Sequence, residues 1–327
     1  MSNKSFTVAD RFSVAPMIDV TNRTFRRFAR LMTKRAMLYT EMIAANALVH
    51  GKEYLIEHRD DENPCTLQLG GSQPKVLSKA CKIASKFGYS AINLNAGCPS
   101  DKVQQGSFGA ILMKTPQVIT DCVKAMQDAV DIPVTVKTRI GVDDEDSLED
   151  TIRIVDSVYK TGCRHIILHA RKAWLNGLSP KENRTVPPLD YDRVYAMYEY
   201  FPDLSITING GITTIEDCLS KLQKVQGVML GRAIMDNPYL LASVDSMIYG
   251  ENTKILTKDE VFEKVLAFSE QFLKEGNKLH HLGNHIINLF NGEKGARRFR
   301  NYLSKHMHEL GADTKVFELA YKAMKEV

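Results

Sequence analysis

Long apolar runs are missing from this chain of 327 residues; no stretch reaches the ~18 uncharged apolar residues that a membrane span requires. The first residues, MSNKSFTVADRF, hold no basic segment followed by an apolar one, so no secretory leader is expected and the protein is expected to be cytoplasmic. Cysteine is sparse, six in all, and none stands in a CxxC pair. That spacing argues against a disulfide framework and a zinc site, and predicts free thiols. No GxGxxG turn follows the first strand-like segment, which instead runs into PMIDVT, so the usual dinucleotide fingerprint is absent. Solenoid periods and low-complexity segments are also absent.

What is there is ordinary globular material, 44% hydrophobic and 25% charged, enough for a well-buried core in one large domain or two smaller ones. Short β-branched or apolar runs recur at 12–16, 37–40, 66–69, 91–95, 134–138, 165–169, 205–209 and 227–230. Between them lie helical patterns at 73–87, 117–130, 148–161, 191–200 and 214–222. Eight strands alternating with helices predict an α/β fold, a (β/α)8 TIM barrel, over residues 1–254. A doubly wound open sheet is the alternative, weakened by the missing glycine fingerprint. From residue 255 the pattern is helix alone, with segments at 258–275, 279–291, 295–310 and 314–326, and 255–327 is read as a small all-helical second domain.

Net charge is only +4, from 43 basic and 39 acidic residues, but it is unevenly placed. Between His280 and His308, Lys294, Arg297, Arg298, Arg300 and Lys305 face a single acid, Glu293, so the rest of the chain balances. Five of the nine histidines lie there too. Charge alone fits a polyanion contact and a solvated helix face equally. In 295–310 the residues Arg297, Arg300, Asn301 and Ser304 share one helical face, while Ala296, Phe299, Leu303, Met307 and Leu310 share the other.

In such a barrel chemistry gathers at the carboxyl ends of the strands. Here those ends carry Pro16-Met17-Ile18, Gln68, Asn93 and Asn95, Lys137 and Arg139, His169 and Arg171, Asn209-Gly210-Gly211, and Gly231-Arg232. The last two groups suit a phosphate, since glycine lets backbone N–H groups approach an anion and Arg232 adds a charged fork. A flavin mononucleotide accounts for the others. Its ring needs an amide such as Gln68 at the pyrimidine edge and a cation such as Lys137 beside it, against the alternative of a structural ion pair. Pro16 and Met17 offer backbone and apolar surface, and His169 a further hydrogen bond. Cys98, between Gly97 and Pro99 on the loop after the fourth strand, suits a general acid, because thiols titrate near ~8.5 and are mostly protonated at neutral pH. A nucleophilic role for it stays open. The remaining cysteines read as small buried hydrophobes.

The segments APMIDVTNRTFR, YTEMI, LQLGGSQP, INLNAGCPSDKVQQGSFGAILM, VKTRIG, HARKAWLNGLSPKENR, INGGI and MLGRAIMDNPY resemble the tRNA-dihydrouridine synthases through nearly the whole chain. NxNxGCP is the most specific of them. HARKAWLNGLSPKENR, with RRFRNYLSKHMH, resembles the A subfamily, which acts at positions 20 and 20a of the D-loop. The resemblance implies that FMN is held by Pro16, Met17, Ile18, Gln68, Lys137, His169, Asn209, Gly210, Gly211, Gly231 and Arg232. It implies NADPH as reductant, hydride delivery to uracil C6, and Cys98 as proton donor to C5. It places tRNA contacts on Asn95, Lys181, Arg184, Arg297 and Arg300; no metal and no obligate protein partner are inferred from the sequence. From the residues alone two other readings stand: an FMN barrel acting on a small pyrimidine or enone, and a non-catalytic RNA-binding protein built on the same barrel.

Overall fold

The chain, described for residues 8–326 by a computed structural model, is built around eight parallel strands. They are β1 (Phe12–Val14), β2 (Leu38–Ala44), β3 (Cys65–Gly70), β4 (Ala91–Asn95), β5 (Val134–Arg139), β6 (His165–His169), β7 (Ser205–Asn209) and β8 (Gly227–Leu230). Sheet order is β1-β8-β7-β6-β5-β4-β3-β2. The ring closes where Val14 N–H donates to the Met37 carbonyl and Met37 N–H to that of Phe12, both at 2.9 Å. Every expected strand is present; β3 gains a residue at each end, β5 gains Arg139, and β1 and β2 change more. β1 stops at Val14, two residues before Pro16, which has no N–H to give a ladder. β2 runs on to Ala44 through a register shift between Tyr39 and Met42, because β3 continues beside it where the apolar pattern has already broken at Thr40-Glu41.

Strand residues alternate sharply in chemistry. Leu67, Leu69, Ile92, Leu94, Val134, Val136, Ile166, Leu168, Ile206, Ile208, Val228 and Leu230 are all buried in the main core under the surrounding helices. Their neighbours of opposite parity face the barrel interior and are mostly polar: Thr66, Gln68, Asn93, Asn95, Thr135, Lys137, Arg139, His165, His169, Thr207 and Asn209. The interior apolar set is small, Ala15, Met37, Tyr39, Ile167 and Met229. A barrel normally fills its interior with branched apolar layers; here the upper interior is a hydrogen-bonded polar lining instead.

The outer helices are α1 (Arg23–Ala29), α2 (Ala45–Val49), α3 (Pro74–Ala84), α4 (Asp101–Gln105), α5 (Pro116–Gln127), α6 (Leu148–Tyr159), α7 (Tyr191–Tyr200), α8 (Ile215–Lys221), α9 (Arg232–Asp236) and α10 (Val244–Met247). Their starts are chemically marked. Proline opens α3 and α5, Ser147 and Asp150 form a capping box on α6, and Asn22, Asp190 and Thr214 cap α1, α7 and α8.

The C-terminal helices are α11 (Lys258–Lys274), α12 (Leu279–Ile286), α13 (Ala296–His306) and α14 (Lys315–Lys325). Phe262, Phe290, Phe299 and Tyr321 pack their rings between them, with centroids 4.7–5.9 Å apart. Leu310, expected on the apolar face of α13, is fully exposed. The helix ends at His306, so spacings of three and four no longer track one face beyond it. Ala296, Phe299, Leu303 and Met307 are buried as the pattern requires. Polar ties join these helices to the barrel: Arg27 to Glu275 at 2.7 Å, and Asn288 and Asn291 to the carbonyls of Met235 and Asp236 at 2.9 Å each. Among the described residues no helix is long and apolar enough to cross a membrane.

Candidate active site

A cavity of about 920 Å³ opens at the carboxyl ends of the strands. Its wall includes Pro16, Met17, Ile18, Gln68, Lys137, His169, Asn209, Gly210, Gly211, Gly231 and Arg232, together with Cys98, Asn95, Lys181 and Arg184. Small-molecule sites run from about 300 to 1,000 Å³, so this one lies at the roomy end, with space for a planar cofactor and a second ring. Arg297 and Arg300 are elsewhere, on α13, Arg297 exposed and Arg300 half-buried.

The floor is one amide network. Gln68 Nε2 donates to Asn93 Oδ1 at 2.8 Å, Asn93 Nδ2 donates to Thr135 Oγ1 at 2.8 Å, and Asn95 Nδ2 donates to Gln68 Oε1 at 2.9 Å. Each primary amide carries two N–H donors and two acceptor lone pairs, so Gln68 is held in place with one of each still to offer a ligand. Asn95 has a local task as well: its Oδ1 accepts from the backbone N–H of Gly97 at 3.1 Å and of Cys98 at 3.0 Å, bending the chain that presents the thiol.

Cys98 is half-buried on that bend, its thiol 3.5 Å from Ser100 Oγ. Its carbonyl accepts from Ala110 N–H at 2.9 Å. Gly109 makes this possible with φ of +79°, and a Cβ there would stand 2.5 Å from the Cys98 carbonyl oxygen. The other five cysteines are buried, and burial pushes their thiols up to about 12, or about 11 for Cys163. They are inert core residues.

Basic residues outnumber acids on the cavity wall, where Asp236 is the one carboxylate. Lys137, Arg139, Arg171, Lys181, Arg184 and Arg232 make no ion pair among the described residues. Lys137 Nζ donates to Asn209 Oδ1 at 3.0 Å and remains in reach of the cavity, but enclosure by protein and then the nearby Arg139 push it down to about 7. Burial first, with Arg139, Lys137 and Arg171 following, holds His169 well below the usual imidazole range, so it is neutral. Burial brings Arg139 down to about 10. Such a set repels itself until an anion arrives.

The anion corner is specific. Gly210 and Gly211 have φ of +112° and +72°. A Cβ on Gly211 would fall 2.5 Å from Leu189 Cδ1 and 2.9 Å from Tyr191 Oη, so only glycine fits the turn. Beside it Arg232 donates to the Arg184 carbonyl at 2.8 Å, and Arg171 leaves its buried Nε without a partner. Backbone N–H groups in a positive-φ glycine turn, with the Arg232 guanidinium on the same cavity wall, fit a bound phosphate. Arg139 and Arg171 stand at strand ends, a pattern that by itself assigns them no role. The signal for Arg139 was its place two residues past Lys137, on the same face of β5.

The family profile described as Dihydrouridine synthase (Dus) matches residues 13–325. A tRNA-dihydrouridine(20/20a) synthase of Shewanella oneidensis is 49% identical over 322 residues, covering 98% of this chain and 96% of that protein. The enzyme of the same name from Escherichia coli K12 is 49% identical over 313 residues, 95% of this chain and 91% of its own. That of Pasteurella multocida is 48% identical over 320 residues, 98% of each. Matched along almost its whole length and nearly half identical to these enzymes, the chain belongs to the dihydrouridine synthase family.

Proposed function

We propose that the protein reduces uridine to 5,6-dihydrouridine in tRNA, at the positions 20 and 20a that its relatives' names carry, with FMN as cofactor and NADPH as reductant. The observation that carries this reading is the single cavity joining a half-exposed thiol, Cys98, to a cluster of cations with no carboxylate partner. Pro16, Met17, Ile18, Gln68, Lys137, His169 and Asn209 would hold the flavin ring and ribityl chain, and Gly210, Gly211, Gly231 and Arg232 the phosphate. Bound there, FMN supplies the hydride that uracil takes up at C6.

The chain's own residues do the rest. Lys137, fixed by Asn209, would supply positive charge beside the cofactor's ring, and its lowered proton affinity would rise with negative charge near. Cys98 carries the proton destined for C5, from a loop that Asn95 bends toward the cavity. Asn95, Lys181 and Arg184 stand on the wall where the base enters and are assigned to tRNA. We assign residues 255–327 as a helical RNA-binding domain, with Arg297 and Arg300 on phosphates. Removing uracil from its stack costs a few kcal/mol, less in a structured loop than in a duplex.

The test is NADPH oxidation by the flavin-loaded protein with unmodified tRNA against free uridine. Unmodified tRNA is expected to be the far better substrate, and equal turnover would sink the RNA reading in favour of a small-molecule reductase. Cys98→Ala is expected to bind flavin normally and to form dihydrouridine ~10²–10⁴-fold more slowly, the range for loss of a general acid. Wild-type turnover in that variant would refute the donor assignment.

A further inference from the structure

Arg139 is buried, carries a full positive charge, and has no acid beside it among the described residues; its bonds go instead to backbone carbonyls of two separate loops. Nε donates to the Gly97 carbonyl at 3.0 Å, one residue before Cys98. Nη1 donates to the carbonyls of Lys172 at 2.9 Å and Asn183 at 3.0 Å, the latter one residue before Arg184. The second loop is stiff around that point. Fully buried Asn183 accepts from Trp174 N–H at 2.8 Å and donates to the carbonyls of Trp174 at 2.9 Å and Leu178 at 3.1 Å. A second tie joins the same two loops, since Gln104 Nε2 donates to the Pro99 carbonyl at 2.9 Å and to the Leu175 carbonyl at 2.7 Å.

From this geometry we infer that Arg139, seconded by Gln104, is a positioning residue that locks the Cys98 loop to the loop carrying Lys181 and Arg184. The base that the second loop receives is thereby set at a fixed distance from the thiol on the first. A guanidinium suits the task because its planar fork reaches carbonyls on both sides at once, which a single ammonium does not. Carbonyl partners also leave its charge uncancelled, so the cavity keeps its positive potential. A carboxylate in the same place would hold the loops and forfeit the field. Misplacement of a reacting group by about 1 Å costs on the order of a hundredfold in rate, so a loosened lock is felt in the proton-transfer step before anything else.

The inference rests on Cys98 as proton donor, and its test separates the two claims. Arg139→Met and Arg139→Lys, as flavin-loaded full chains, are compared with wild type in two assays: NADPH-driven bleaching of the flavin without tRNA, and single-turnover dihydrouridine formation in unmodified tRNA. The tRNA step is expected to fall about 100-fold in both variants, with bleaching falling at least ~30-fold less, so the effect sits in kcat for tRNA and not in cofactor chemistry. Restoration by lysine would overturn the inference, since charge alone would then suffice. So would equal losses in the two assays, the mark of a general structural defect, or a Met variant within threefold of wild type. Should Arg139→Met not fold, Gln104→Ala carries the test, with about a tenfold loss and the same split between assays expected from two lost hydrogen bonds; no split would overturn the inference. If Cys98→Ala is impaired while these variants are not, only the lock fails; if Cys98→Ala is fully active, the donor assignment fails first.

Discussion

At the barrel mouth Arg139 and His169 are buried and Lys137 is enclosed, none of them in an ion pair among the described residues, whereas Arg297, Arg298 and Lys305 on α13 stand exposed in water. Both regions are basic, yet the physics differs. Charges walled off from solvent interact strongly, shift one another's proton affinity, and are held in place before any ligand arrives. Exposed charges are screened within ~8–10 Å at physiological salt and act chiefly on long-range attraction and on counterion release from a polyanion. Under the proposed function, the first set would serve a single anionic group at a fixed point and the second a backbone of phosphates.

Three measurements bear on that contrast, beginning with the largest effect. Lys137→Met removes an enclosed charge from the site proposed for the flavin ring and is expected to slow dihydrouridine formation by ~10²–10³-fold, as loss of one preorganised electrostatic contact does. A loss under tenfold, measured at saturating NADPH and tRNA, would mean that Lys137 is only a structural partner of Asn209. The double change Arg297→Ala and Arg300→Ala is expected to weaken tRNA binding severalfold and to flatten the dependence of log affinity on log salt by about 1 to 2, one phosphate contact each. An unchanged slope would show α13 to be a solvated surface. The smallest effect is on stability without cofactor. Lys137 titrates at about 7 in the fold and near ~10.4 in an unfolded chain, so the unfolded state binds more protons between those values. Stability of the flavin-free protein should therefore rise with pH from about 7 to 10, by a fraction of the ~1.4 kcal/mol per unit that a fully enclosed group gives, and Lys137→Met should remove that rise in urea titrations.

The barrel was legible because parallel strands covered by helices leave continuous apolar marks at regular spacing, and glycine, proline or a capping residue punctuates nearly every element. Boundaries were less legible where a partner strand extends pairing past the apolar pattern, as at β2, or where a helix ends inside a persistent spacing, as at Leu310. The same alternation along β5 that placed Lys137 in the interior also placed Arg139 there. What it did not disclose is where the guanidinium reaches, since Gly97, Lys172 and Asn183 come together only across loops 42, 33 and 44 residues away. Nor does any local pattern show that Asn95 spends its carbonyl oxygen on the backbone that carries Cys98.

Sequence by itself determined the alternation of elements, the residue types at the strand ends and the local excess of positive charge, because these follow from backbone propensity, side-chain parity and composition. Tertiary structure alone decided that fifteen of the proposed ligand-contacting residues line one cavity while Arg297 and Arg300 stand apart, and that the mouth's cations make no ion pair among the described residues. It also decided that five cysteines are sealed in the core and Cys98 is not. Those outcomes depend on the closure of the barrel and on which loops cross above it, and burial, distance and partner choice exist only once the chain has folded.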